Sequence, residues 1–211
     1  MWALVESGTV KNTFSSFPDK LTISGRNYDK AELTAMSDSD KLSIGIYPVN
    51  EATKLNENYY ISNSPSYAVS GSVVNETITK ASDKKLDDED SKDEDGNQLL
   101  DQDGSKIINY GLKTVAINRA KTTANGFLQG FRWLVERNVY DNSKAIPTAV
   151  KTYVAAIQKD ADDIETAITN AGDMNAFIAL HTDTLKGDGT VDVIARVNRW
   201  TTDANVKSYR R

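Results

Sequence analysis

The 211-residue chain has no cysteine, so disulfides and thiolate chemistry are excluded; the absence does not by itself indicate a compartment. Histidine occurs once, as His181, which leaves no second imidazole for a His-rich metal site. A serine hydrolase would set that histidine beside a nucleophile elbow, and no Gly-x-Ser-x-Gly segment occurs. Neither a Walker sequence nor a Gly-x-Gly-x-x-Gly loop is present to cradle a phosphate. No apolar run approaches the roughly 18 residues that span a bilayer. The opening "MWALVESGTV" lacks a basic n-region and carries Glu6 inside its apolar stretch, so it does not read as a signal peptide.

Basic charge is also scarce where it would matter for nucleic acid. The net charge is −5, but residues 83–103 hold ten acidic residues against three lysines, a local −7. The rest of the chain carries about +2, spread without a basic stripe, and nucleic-acid binding is not expected. Hydrophobic residues make up 39% and charged residues 26%, which suits a folded chain with an affordable core.

The patterning that remains predicts an α+β protein: an antiparallel β module over 1–80, an acidic turn-rich linker over 81–111 and an α-helical domain over 112–211. "WALVE", Ser7-Gly8 and "TVKNTF" read as strand, tight turn and strand, with glycine supplying the unusual backbone angle. "KLTISG", "KLSIGIYPV", "NYYIS" and "YAVSGSVVNETIT" alternate as half-buried strands do, and "DKAELTAMSDSDKLSIG" reads as a short helical turn. Trp2 is expected to anchor the first strand.

Within the acidic stretch, "DEDGN" (Asp93 to Asn97) and "DQDGS" (Asp101 to Ser105) are Asp-x-Asp-Gly units eight residues apart. They resemble the start of an EF-hand loop, but aligning Gly96 with the loop glycine puts Ser91 first and Gln102 last, where Asp and a bidentate Glu are required. Turns are the expected reading, since Asp-Gly is among the strongest turn signals. A flexible acidic tether of this kind would let two modules engage one partner at raised effective concentration. His181 lies near Asp183 and Asp188, a pattern better read as a cap than as a metal site.

From Leu112 the period turns helical. Leu112, Val115, Ala116 and Arg119 share a face leading toward Phe127 and Phe131. After Pro147, which suits a helix's first turn, Val150, Tyr153, Val154, Ile157, Ala161, Ile164 and Ile168 recur at three- and four-residue steps. Gly172 ends that helix, Asp173 caps a short helix through Leu180, and "DVIARVNRW" reads as a last short helix holding Trp200. Two long helices packed as a hairpin are the expected frame. Trp133 and Arg137 then lie one turn apart at the end of the first. Two readings stand: an exposed Trp/Arg recognition patch, or a tryptophan filling the hairpin core while the arginine bonds the last carbonyls or stacks on a ring. No catalytic constellation, cofactor motif or metal set is identified, and the chain is expected not to be an enzyme.

Several of these segments together resemble a family. "MWALVESGTVKNTF", "LTISGRNYDKAEL" and "LSIGIYPV" are similar to the amino-terminal β module of tailed-bacteriophage tail-fibre assembly and tail-fibre-associated proteins. "DGNQLLDQDGSKIINYGLK" resembles that family's acidic Asp-Gly linker, and Trp133, Arg137, Pro147 and Tyr153 fall where its helical region has tryptophan, arginine, proline and a helix-opening tyrosine. The sequence departs from the pattern at Val154 and Gln158, where arginines are usual, and residues after 171 have no counterpart. The resemblance implies a non-enzymatic protein whose partner is a tail fibre or other tail protein, met through Trp133, Arg137 and Tyr153. It implies work in the host cytoplasm during assembly or a place in the virion tail, with homo-oligomerisation open. Two alternatives remain: a virion structural protein elsewhere, in the baseplate or as capsid decoration, and a carbohydrate-binding module stacking sugars on Trp2, Tyr59, Tyr60 and Tyr67.

Overall fold

Ser7 and Gly8 turn the chain back on itself with φ of 50° and 75°, the positive pair a two-residue hairpin turn requires, and thereby align β1 (Trp2–Glu6) with β2 (Thr9–Phe14). The computed structural model describes residues 1–211, which divide into Met1–Asp83 and Lys84–Arg211. The fold class is α+β.

In the first unit a second hairpin, β3 (Lys20–Ile23) and β4 (Arg26–Asp29), turns at Ser24-Gly25 in the same way. Asp29 then accepts from the Glu32 amide at 2.7 Å to start α1 (Lys30–Ala35), and Ser37 caps α2 (Asp38–Ser43) through the Asp40 amide. There follow β5 (Ile46–Asn50), β6 (Tyr60–Ser62), β7 (Ser66–Ser70), β8 (Val73–Thr77) and β9 (Lys80–Asp83), with β6 and β9 forming a separate ribbon. The main sheet runs β2-β1-β5-β8-β7. It is antiparallel except between β5 and β8, which pair in parallel, so the expected antiparallel module is a mixed sheet. The reason is topological: the chain leaves β5, makes β6 and β7, and re-enters beside β5 in the same direction. β2 and β7 also approach each other, and the sheet curls.

The run "WALV" is buried almost throughout because both faces of β1 are covered. Leu4 and, half-buried, Trp2 pack with Phe14, Phe17, Ile23, Tyr28, Leu33 and Ile46, while Ala3 and Val5 pack with Val49 and Val74. Trp2 anchors this strand as expected, stacked on Phe17 with centroids 6.0 Å apart and facing the Lys41 ammonium at 4.7 Å. Lys41 is only 6% exposed, and its Nζ donates to the Met36 carbonyl at 2.7 Å. Lys41 to Ser43 lie in α2, as the helical reading of "DKAELTAMSDSDKLSIG" expected and not as the strand alternation of "KLSIGIYPV" suggested. Because Trp2 and Tyr67 pack into different clusters, the four aromatics weighed for sugar binding do not make one platform.

In the second unit, the acidic segment is folded. β10 (Glu89–Asp90) pairs with β11 (Ile108–Asn109). Beyond that stem, Ser91 N donates to Ile107 O, Leu99 N to Ser91 O and Ile107 N to Leu99 O, at 2.8 to 2.9 Å. Three backbone positions eight residues apart thus close a ring of hydrogen bonds, with Ser91 buried in it. Each Asp-Gly unit is a hairpin turn hung on that ring, in which Asp93 or Asp101 accepts from the amides two and four residues on. The segment is also tied to the helices: Lys85 O and Leu86 O accept from the Leu112 and Lys113 amides, and Asp88 accepts from the Gly111 amide at 2.7 Å. Those are helix-start donors that need partners, so residues 84–111 serve as a cap rather than as a free tether.

The helical part comprises α3 (Leu112–Gln129), α4 (Arg132–Tyr140), α5 (Thr148–Thr169) and α6 (Met174–Leu180). The expected first long helix is two helices, broken at Gly130–Phe131, and it is α3 that packs along α5. α5 buries Val150, Tyr153, Ile157, Ile164 and Ile168, the stripe read from its period. Asp173 caps α6 by accepting from the Ala176 amide at 2.8 Å. "DVIARVNRW" is not a helix; β12 (Thr184–Leu185) and β13 (Val191–Val193) form a hairpin there, followed by a 3₁₀ turn at Arg196–Asn198. A last 3₁₀ turn spans Lys207–Tyr209. No helix is long and apolar enough to cross a membrane.

Two measurements follow from these contacts. At Gly45, with φ of 87°, an added Cβ would lie 2.7 Å from the Val5 carbonyl oxygen. Gly45→Ala is expected to destabilise the first unit by about 1–3 kcal/mol, read by chemical denaturation. Asp93 sits below the usual carboxylate range, chiefly because the Asn97 backbone and side chain donate to it. A depressed folded pKa stabilises above the ordinary Asp range and loses that contribution as pH falls through the folded value. Acidification should therefore lower the protection factors of the Asp95 and Asn97 amides relative to their intrinsic exchange rates at each pH, and Asp93→Asn, which keeps an acceptor but does not titrate, should flatten that profile.

Candidate functional site

The break between α3 and α4 sets the geometry of the candidate residues. A helix that stops leaves carbonyls without intrahelical donors. Here the Asp203–Arg211 segment supplies them: Arg210 Nη2 donates to Phe127 O at 3.1 Å, and the Arg211 amide donates to Gly130 O at 3.1 Å. Arg210 Nη1 reaches Asp203 at 3.1 Å, which holds the guanidinium in place. Gly130 is needed for space, since a Cβ there would run into the Arg210 side chain.

Trp133, the second residue of α4, completes this contact. Its indole N–H donates to Tyr209 O at 2.9 Å. The Arg211 guanidinium lies 3.8 Å from the indole centroid and that of Arg137 lies 5.1 Å from it, so two cations face one ring. Arg137 Nε is buried without a hydrogen-bond partner, and the ring is what compensates its guanidinium. Tyr153 is buried on α5, edge-on to Phe131 with centroids 5.6 Å apart. Burial pushes its phenol pKa up; the Asp203 carboxylate pushes the same way and Arg210 opposes.

Trp133 and Tyr153 therefore belong to one cluster, with Ala124, Phe131, Leu134, Val150, Ile157 and Val206, and Arg137 lies on Trp133 at its margin. Of the two readings open from the sequence, the geometry corresponds to hinge packing, with Trp133 covered in part by residues 209–211. Tyr209, Arg210 and Arg211 were not singled out from the sequence, and no local signal could have marked them, because they act on a break roughly eighty residues upstream.

What faces outward near this hinge is different. On α4, Val135, Val139 and Tyr140 are 52%, 75% and 90% exposed. Beside them, between α4 and the start of α5, a cavity of about 210 Å³ is lined by Leu128, Phe131, Arg132, Val135, Ile146, Val150, Lys151 and Val154. Val135 and Val139, four apart on a helix otherwise polar on that side, are the sequence signal for this surface. His181 is an α6 end residue whose Nδ1 lies 2.9 Å from Phe177 O, and Asp183 and Asp188 accept backbone amides of Ala195 and Thr190.

No protein-family model, no curated protein and no solved structure matches the chain.

Trp133→Phe keeps the ring and removes the indole donor; it should cost about 1 kcal/mol in chemical denaturation and speed amide exchange at Arg211. Tyr153→Ala, which empties a core position, should cost about 3–5 kcal/mol in the same assay.

Proposed function

We propose that the chain is a non-enzymatic phage tail protein that binds a tail fibre, as an assembly chaperone or as a fibre-associated virion subunit. The observation that carries this reading is the outward face of α4. Apolar side chains are kept in water there although a buried cluster lies beneath them, which is how a protein-binding surface is built. The resemblance of the "W…R", proline and tyrosine segment to tail-fibre assembly proteins supplies the partner class. Trp133 and Tyr153 enter this reading as cluster residues that pack α4 and α5 together, Arg137 as the cation on the Trp133 ring, and Val135, Val139 and Tyr140 as those that meet the fibre. The protein would act in the host cytoplasm during assembly and, as a subunit, remain in the tail.

A second reading, a virion building block elsewhere that associates with itself, draws on the β12–β13 hairpin. Leu185, Val191, Val193 and Ile194 are all exposed there. A two-stranded hairpin is marginal alone, and such faces suit a subunit contact.

Co-expression with the fibre encoded beside it, followed by affinity capture and light scattering, tests both. The expected result is a stable complex and more soluble fibre trimer. Val139→Asp combined with Tyr140→Ala should weaken capture at least about tenfold while shifting stability by no more than about 0.5 kcal/mol. Absence of a fibre complex, with a self-oligomer that Leu185→Asp dissolves, would replace the first reading by the second.

A further inference from the structure

We infer that the cavity between α4 and α5 receives an acidic peptide segment, one bulky apolar side chain inserted and carboxylates on either side of it. The inference rests on the reading above only in taking the partner to be a protein. Six of the eight lining residues are apolar, and the remaining two, Arg132 and Lys151, are both cations, one on each wall. Both are exposed. Arg132 has only the exposed Glu136 within reach, at 3.6 Å, and Lys151 makes no ion pair. The volume of about 210 Å³ is below the ~300–1,000 Å³ usual for a drug-sized ligand, and somewhat above the ~150 Å³ that holds one benzene ring. It fits one leucine, isoleucine or phenylalanine side chain. Val135, half-exposed at the mouth, marks the side from which that side chain enters.

Charge decides the flanks. A segment with basic flanks would meet two cations at close range, whereas carboxylates there pair with Lys151, which has no ion partner, and with Arg132, whose one partner is the exposed Glu136. Because both cations are in water, their attraction adds modest affinity and mainly selects among apolar segments. The chain itself carries such a segment, exposed Leu99 and Leu100 between acidic turns, so a second copy is the competing occupant.

Random peptides displayed on yeast, sorted against the whole chain, give the test. The expected result is enrichment of sequences with one large apolar residue flanked by Asp or Glu, binding that weakens as salt rises, and a loss of about tenfold in Val135→Asp. Val135→Ser serves if the aspartate variant melts early. Arg132→Glu with Lys151→Glu should invert the enriched flanks to Lys or Arg. Peptides that ignore Val135, or flanks that do not invert, overturn the inference. So does self-association that Val135→Asp abolishes, which assigns the groove to a second copy. Fibre capture without groove selection overturns the groove alone, and groove selection without fibre capture overturns the tail-fibre reading alone.

Discussion

An interrupted helix depends on something else to satisfy the carbonyls it exposes, and in this protein that dependence organises the second unit. α3 stops at Gly130, and the peptide groups left open there are met by Arg210 and by the Arg211 amide. The same segment brings the Tyr209 carbonyl to the Trp133 indole and a second guanidinium to its ring. With α4 held in this way, Leu134 is fully buried and Phe131 and Tyr153 meet edge-on. The groove beside α4 lies at this break, lined by Leu128 near the end of α3, Phe131 at the break and Val150 and Val154 on α5.

A comparable use of end groups occurs at the other end of α3. Its first amides are taken by Lys85, Leu86 and the Asp88 carboxylate. The acidic segment can do this because its octad repeat closes a backbone ring at Ser91, Leu99 and Ile107, which gives a strongly charged stretch a fixed shape without a hydrophobic core. The carboxylates of Asp93 and Asp101 are spent on amides of their own turns, and their role is conformational. In the first unit the comparable device is Lys41, whose buried ammonium is received by a carbonyl, the Trp2 ring and, at 3.6 Å, the Asp38 carboxylate.

These features bear directly on function. The aromatic residues most suggestive in the sequence, Trp133 and Tyr153, pack into the hinge cluster, and Arg137 lies on the Trp133 ring. Less conspicuous aliphatic residues, Val135 and Val139, are what the solvent meets.

Much of this was legible in the sequence, wherever local rules act alone. The Ser7-Gly8 hairpin, the strand alternation of the first eighty residues, the buried stripe of α5 from Val150 to Ile168 and the Asp173 cap of α6 follow from turn chemistry, side-chain period and capping, each set within a few residues. Other features were decided by contacts between distant residues. The parallel pairing of β5 with β8, the folding of the acidic stretch onto α3 and the break at Gly130 each depend on a partner far along the chain. Periodicity marks which face of an element is apolar; it carries no information about which distant carbonyl, ring or guanidinium will complete it. That is why the sequence by itself determined the first hairpin, the α5 stripe and the α6 cap, and only the tertiary structure decided that Trp133 is partly covered and Val139 is not.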